Sequence, residues 1–333
     1  MREPGFYLAV AAASAALAAG LCSLLTPRVR ELALAYGAAP PPRSRDVHVQ
    51  PIPRWGGLAI FASFVIALAV LALVVSFGFG RSITDRTLRP GIALVIAGAL
   101  LSAVGAIDDR TELSAGKQLI VQIVCALLVI PFGVEIRFVT NPFGDGMVDL
   151  HWWSYPLTVL WLVGVANAVN FIDGIDGLAA GVSAISAATM ALMAVWSNQP
   201  ALAILAASLC GALLGFLRYN FNPARIFMGG GAPVVGFLLA SISSVGAFKA
   251  PVAVAVAIPF LLLAIPIFDT AAVIIRRWRS GRPIYQADQS HLHHRLLALG
   301  YSQKKTVLIL YGISSLFCVF AFVAFLLAGS RGN

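Results

Sequence analysis

The chain has 333 residues, 59% hydrophobic and 11% charged, with a mean hydropathy of +0.89 and a formal net charge of +9. A soluble domain is about 45–50% apolar, so the composition excludes a soluble globular protein, and the continuously apolar runs exclude an outer-membrane barrel, whose strands alternate. The basic excess sits at the edges of apolar runs, where membrane topology demands it, so it does not signal nucleic acid.

In lipid, a helix satisfies its backbone hydrogen bonds within one segment, and about 20 apolar residues cross the core. The fold class that follows is an all-α polytopic membrane protein, one integral membrane domain over 1–333. About ten transmembrane helices are predicted, at 5–25, 55–79, 90–107, 117–133, 154–170, 177–197, 200–217, 233–249, 251–275 and 305–329. The first could pass for a signal peptide, but its removal would leave an odd count and spoil the topology. The fifth is short and ends on Asn167 and Asn170, which predicts a hairpin-like break there. With the loop after the first span in the cytoplasm, that face collects Arg28, Arg54, Arg110, Lys117, Arg218, Arg276 and Arg295 among other bases. Basic short loops mark the cytoplasmic side, so both termini are expected outside, in a multi-pass plasma-membrane protein with its polar motifs on the cytoplasmic face. A minority of these bases would meet anionic lipid headgroups or phosphates. Cys22, Cys125, Cys210 and Cys318 fall inside predicted spans without a CxxC pair, which implies neither disulfide nor zinc.

The polar motifs follow in chain order. Arg45-Asp46-Val47-His48 and Pro51-Ile52-Pro53-Arg54-Trp55-Gly56-Gly57 form a stiff, basic approach to the second span. Asp108-Asp109-Arg110-Thr111-Glu112 ends the third, and Asp108 and Glu112 would share a face if the helix continued. Two readings stand: a solvated loop or N-cap, and a carboxylate site for a hard cation or a base beside a phosphate. Adjacent like charges raise one another's pKa unless a cation compensates; Lys117 is a candidate for that role or for phosphate contact. The loop from Val134 to Trp153 reads as a small external β-hairpin around Asn141 to Gly146.

Asn167, Asn170, Asp173 and Asp176 then follow at steps of three, so a helical stretch would align them on one stripe. Gly174 and Gly177 would let a ligand approach the backbone closely. An ionisable residue at bilayer depth costs about 3 kcal/mol and is by default a hint of function; a polar hairpin turn is the plainer reading. Asp269, in Pro266-Ile267-Phe268-Asp269-Thr270, needs a partner or water for the same reason. Ser290-His291-Leu292-His293-His294-Arg295 lies on an amphipathic helix where no Cys or Glu completes a zinc set. Contact with phosphate or nucleotide oxygens is weighed there against a purely interfacial helix.

Taken together, PxPRxGG, DDxxE with Lys117 downstream, NAxNxxDGxDGLAAG, FNPARIFMG, PxFDT and HLHHR resemble the motifs of the polyprenyl-phosphate N-acetylhexosamine-1-phosphate transferases, in one order from residue 45 to 295. The HLHHR form resembles the branch that uses UDP-N-acetylglucosamine or related UDP-sugars more than the branch that loads the muramyl pentapeptide. The resemblance implies transfer of a sugar 1-phosphate from a UDP-sugar to a polyprenyl phosphate on the cytoplasmic face, with release of UMP, as a first membrane step in cell-envelope polysaccharide synthesis. It implies magnesium, with manganese as a substitute, a membrane-lipid setting, and a homodimer. By resemblance, Asp108 and Asp109 would position or deprotonate the lipid phosphate and Lys117 would contact phosphate. Asn170 would ligate the metal, Asp173 would lie near the nucleoside, and Phe227 would stack on uracil. His291, His293 and His294 would hold the diphosphate, supported by Asn167, Asp176 and Arg295.

One departure stands out. The family motif reads FMGD, then a small residue and glycine, and its Asp is a principal metal ligand. Here the chain runs Phe227-Met228-Gly229-Gly230-Gly231-Ala232-Pro233, one residue shorter to Gly236, as though that Asp were deleted. Removing a ligand should weaken a magnesium site that already relies on substrate oxygens. Two alternatives therefore stand beside the transferase. One is a catalytically impaired or silent member that binds lipid phosphate or UDP-sugar. The other is a transporter, motivated by intramembrane polar groups alone and without internal repeats.

Overall fold

The computed structural model describes residues 4–40, 51–79, 85–140, 147–245, 258–281 and 291–330. Arg45 to His48, the hairpin turn Asn141 to Gly146, residues 246–257 and Ser290 lie outside them. The helices are α1 (Pro4–Ala35), α2 (Gly56–Phe79), α3 (Asp85–Thr111), α4 (Ala115–Val129), α5 (Ser154–Ile172), α6 (Leu178–Trp196), α7 (Pro200–Asn220), α8 (Ala232–Val245), α9 (Ala264–Arg279), α10 (Leu292–Ala298) and α11 (Gln303–Ser330). The chain is an all-α, multi-pass membrane protein: among the described residues, eight helices are long and apolar enough to cross a membrane. The predicted hairpin forms between β1 (Phe138–Thr140) and β2 (Met147–Asp149), antiparallel with Val139 opposite Val148.

The bundle is organised around α6 and α7, 83% and 72% buried along their apolar stretches, while the other spanning helices turn leucines and aromatics such as Leu24, Leu160, Leu316 and Phe320 outward. Lipid offers no hydrophobic drive between helices, so close approach relies on small residues. Gly211 and Gly215 of α7 lie against the backbone of Ala15 and Ala19 of α1, four residues apart on both helices. Ser208 Oγ meets Ser14 Oγ at 3.2 Å, and Tyr219 donates to the Ser23 carbonyl at 3.0 Å.

Two predicted spans look different in the fold, and a third is described only in part. The fifth has no hairpin-like break: α5 runs unbroken from Ser154 to Ile172, and the chain leaves the helix only at Asp173. The eighth is described only as far as Val245, and over those residues it forms α8, buried along nearly its whole length. The ninth, described from residue 258, is interrupted at Leu263. Pro266 has no N–H to give the Leu262 carbonyl, and Ser186 Oγ of α6 donates to that carbonyl instead at 2.5 Å. Counting apolar residues missed the break because it registers hydrophobicity and not the proline.

Candidate active site

The approach to α2 is stitched to the segment before α8. Phe227 N–H donates to the Pro53 carbonyl at 2.7 Å, Gly56 N–H to the Phe227 carbonyl at 2.9 Å, and Gly57 N–H to the Met228 carbonyl at 3.0 Å. The Arg54 N–H donates to the Ala38 carbonyl, three residues beyond the end of α1. This short ladder brings Arg54 and Phe227, more than a hundred residues apart in sequence, to one place.

The three glycines that follow make contacts no other residue could. Gly229 has φ +60 and lies against the Arg54 carbonyl and the Asp109 carboxylate, while Gly230 and Gly231 press on Gly105 of α3 and Gly57 of α2. The approach aims the Gly230 N–H at Asp109, whose Oδ1 and Oδ2 accept it at 3.1 and 3.0 Å. Where the family motif carries an Asp, a backbone amide holds the carboxylate of the α3 pair.

Neighbouring carboxylates divide the work. Asp108 Oδ1 accepts from Leu113 N–H at 2.7 Å and from Gln118 Nε2 at 2.9 Å, tying the end of α3 to α4. Helix α3 does not continue to Glu112, which has φ +51, so the face that Asp108 and Glu112 would share never forms. Lys117 is exposed on the first turn of α4.

The asparagine and aspartate stripe breaks in the same way. Asn167 faces α4, its Nδ2 donating to Gln122 Oε1 at 2.5 Å and to the Val163 carbonyl at 2.8 Å. Asn170 is half-buried in the last turn of α5, and Asp173 caps it with ψ 49. Burial pushes the Asp173 carboxyl up to about 7, Asp176 adds to the shift, and Arg54 opposes it. Asp109 lies in the fields of Arg54, Asp108 and Asp173. Asp176 is 1% exposed, and its Oδ2 accepts from Asn222 Nδ2 and Ala224 N–H, both at 2.9 Å. Asn220 completes the lock, accepting from Gly177 N–H and donating to the Ile226 carbonyl. The loop that ends in Phe227, itself half-buried, is thus clamped to the loop that carries Asp173.

The histidines form a third wall. His291 is buried against Asp269 of α9 at 2.9 Å, and its ring lies parallel to that of His293, centroids 5.7 Å apart. His293 sits over Gly174; burial first, then the neighbouring His294 and His291, hold it neutral, down to about 3. Among the described residues its two ring nitrogens meet no hydrogen-bond partner. The His294 ring lies next to it, tilted by 41° with centroids 4.3 Å apart, and Arg295 is exposed, lining a groove with Arg276.

Asp109, Asp173, Arg54, Phe227 and the histidine wall therefore come together, Asn167 and Asp176 serve as braces, and Lys117 lies at the surface. In the sequence alone Arg54 has only a topological role, Gly57 is one residue of a stiff approach, and nothing singles out Gly105, Gln118 or Gln122. Small residues inside an apolar helix let another backbone approach closely, but the sequence does not say which.

The family model for glycosyl transferase family 4 matches residues 91–247. A relative from Bacillus subtilis (strain 168), "Probable undecaprenyl-phosphate N-acetylglucosaminyl 1-phosphate transferase", is 38% identical over 301 residues, 90% of this chain and 81% of the relative. "Decaprenyl-phosphate N-acetylglucosaminephosphotransferase" of Mycolicibacterium smegmatis is 38% identical over 305 residues, 85% of this chain and 74% of the relative. "Phospho-N-acetylmuramoyl-pentapeptide-transferase" of Listeria monocytogenes is 32% identical over 269 residues, 75% of this chain and 78% of the relative. Such identity spans the approach to α2, both carboxylate loops and the fold that joins them, and the chain belongs to glycosyl transferase family 4 as a membrane-embedded sugar-phosphate transferase.

Proposed function

We propose that the chain transfers an N-acetylhexosamine 1-phosphate, with N-acetylglucosamine as the sugar, from a UDP-sugar to a polyprenyl phosphate at the cytoplasmic face of the plasma membrane. A lipid phosphate oxygen attacks the sugar-bound phosphorus, the bond to the uridylyl oxygen breaks, and UMP leaves. The observation that carries this reading is the convergence of Arg54, Asp109, Asp173 and the Gly229 to Gly231 loop, drawn from four distant segments at helix ends. The relatives named for N-acetylglucosamine match at higher identity, and over more of the chain, than the muramoyl relative, which favours that sugar. The relatives carry the names of active enzymes, so the silent and transporter readings have no support from them.

The first barrier is repulsion between two anionic reactants. Unit charges about 4 Å apart at an effective dielectric near 20 repel by about 4 kcal/mol, several decades of rate. Arg54 and the bases of α9 and α10 lower that barrier from the protein side. Asp109, Asp173 and the Asn170 amide offer hard oxygen donors for magnesium, or manganese in its place. Among the described residues no group of three His, Cys, Asp or Glu is assembled around a metal. Magnesium takes one or two carboxylates and completes its shell with water and substrate phosphates. Bound there, it would neutralise charge on the diphosphate.

The test is UMP release by purified protein given undecaprenyl phosphate, UDP-N-acetylglucosamine and magnesium. Release is expected, and EDTA should abolish it until magnesium is restored. Silence across several UDP-sugars and both metals would overturn the reading.

A further inference from the structure

We infer that Asp269 is the positioning residue for His291, setting which ring nitrogen faces the reactants. The inference rests on the proposed transfer reaction for its kinetic consequence, but not for its geometry.

Asp269 is 8% exposed on α9, a helix whose charged groups otherwise gather at its C-terminal end as Arg276, Arg277 and Arg279. A carboxylate kept in such a place needs compensation. It finds two donors across the gap to α10: His291 Nδ1 meets Oδ2 at 2.9 Å, and Leu292 N–H donates to Oδ1 at 2.8 Å. Two bonds to adjacent residues fix the position and the tilt of the ring together. A carboxylate only accepts, so the hydrogen of the imidazole sits on Nδ1 and Nε2 is the nitrogen left for chemistry.

The surroundings complete the constraint. The ring packs parallel to His293, 8° between planes, and its centroid lies 6.0 Å from that of Phe171. Phe171 follows Asn170 and precedes Asp173 by two residues, so His291 is presented to the end of α5 that carries those donors. Without Asp269 the ring could turn over and offer a Nδ1 acceptor and a misdirected Nε2–H. Both ring nitrogens donate in an imidazolium, so a ring anchored through Nδ1 can meet a diphosphate oxygen only through Nε2.

A double-mutant cycle separates this role from mere bracing. UMP release would be measured for the parent, Asp269→Asn, Asp269→Glu, His291→Gln and the double variant Asp269→Asn with His291→Gln, each first shown monodisperse in detergent. Asp269→Asn and His291→Gln should each lower kcat by about 10²-fold, with KM changing less. Asp269→Glu should regain part of the loss. Residues that act as one unit are not additive, so the double variant should be no slower than His291→Gln alone. A double loss equal to the product of the single losses, or an Asp269→Asn variant as fast as the parent, would overturn the inference. Should the parent itself release no UMP, the transfer reading falls while the geometry stays testable. In protein labelled with ¹⁵N-histidine, Asp269→Asn should move one of the five rings from the Nδ1–H to the Nε2–H tautomer, and an unmoved spectrum would overturn the inference.

Discussion

Gly105→Ala is expected to abolish UMP release and lower the melting temperature in detergent by several degrees, while Gly312→Ala leaves both unchanged. A Cβ on Gly105 would overlap the carbonyl oxygen of Gly230, whose carbonyl carbon lies 2.7 Å away; one on Gly312 meets nothing within 4 Å. The obstacle is backbone with no flexible side-chain tip to swing aside, so the Gly229 to Gly231 loop must move. Overpacking of this kind costs about 1–3 kcal/mol. Function should suffer more than stability, because the loop that moves is the one whose Gly230 N–H holds both oxygens of Asp109. A misplacement of about 1 Å at a reacting centre costs about 10²-fold in rate, and the same displacement disturbs Gly57, which faces Gly231. At Gly312, by contrast, alanine is the better helix former. Turnover and thermal unfolding of the two variants, measured side by side, check the claim. Normal turnover in Gly105→Ala would mean that Asp109 does not depend on the loop.

Hydrophobic length made the class and most of the helices legible, because a span in lipid is set by composition over about 20 residues. It misread the segment where backbone chemistry overrides composition: Pro266 breaks the ninth. The motifs named loops that the structure brings together but not the orientation of each residue. Asn167 and Asp176 lie in the predicted stripe at steps of three, yet the stripe presumes a helix beyond Ile172, and the helix ends there. One turned to α4 and the other to the Asn222 loop. Partners remote in sequence were the hardest to read. That Gly105 meets Gly230 follows from packing alone, 125 residues away (230 − 105). Asp269's need for a partner was visible; that the partner would be His291 was not.

Asp173 and Asp176 stand three residues apart in one motif, and neutralising them should move stability in opposite directions. In magnesium-free buffer at pH 8, Asp173→Asn is expected to melt no lower than the parent, whereas Asp176→Ala melts well below it. Burial raises Asp173 from 3.8 to about 7, so between those values the folded state holds a proton the unfolded state has released. Stability therefore falls as pH rises through that window, and above it the full penalty of burying the charge is present. Each pKa unit corresponds to about 1.4 kcal/mol, so the asparagine relieves on the order of 1–4 kcal/mol and flattens the parent's decline between pH 4 and 7. Asp176→Ala strips the acceptor from Asn222 Nδ2 and Ala224 N–H. A buried donor left unsatisfied costs about 1–3 kcal/mol, and the loop that positions Phe227 loses its clamp. Both variants should release UMP slowly, for different reasons. Asp173→Asn loses kcat because the charge itself is what the reaction uses, and Asp176→Ala raises KM for the UDP-sugar because the nucleoside wall is loose. A lower melting point for Asp173→Asn, or an unaltered one for Asp176→Ala, would show that the two carboxylates do not divide chemistry from architecture.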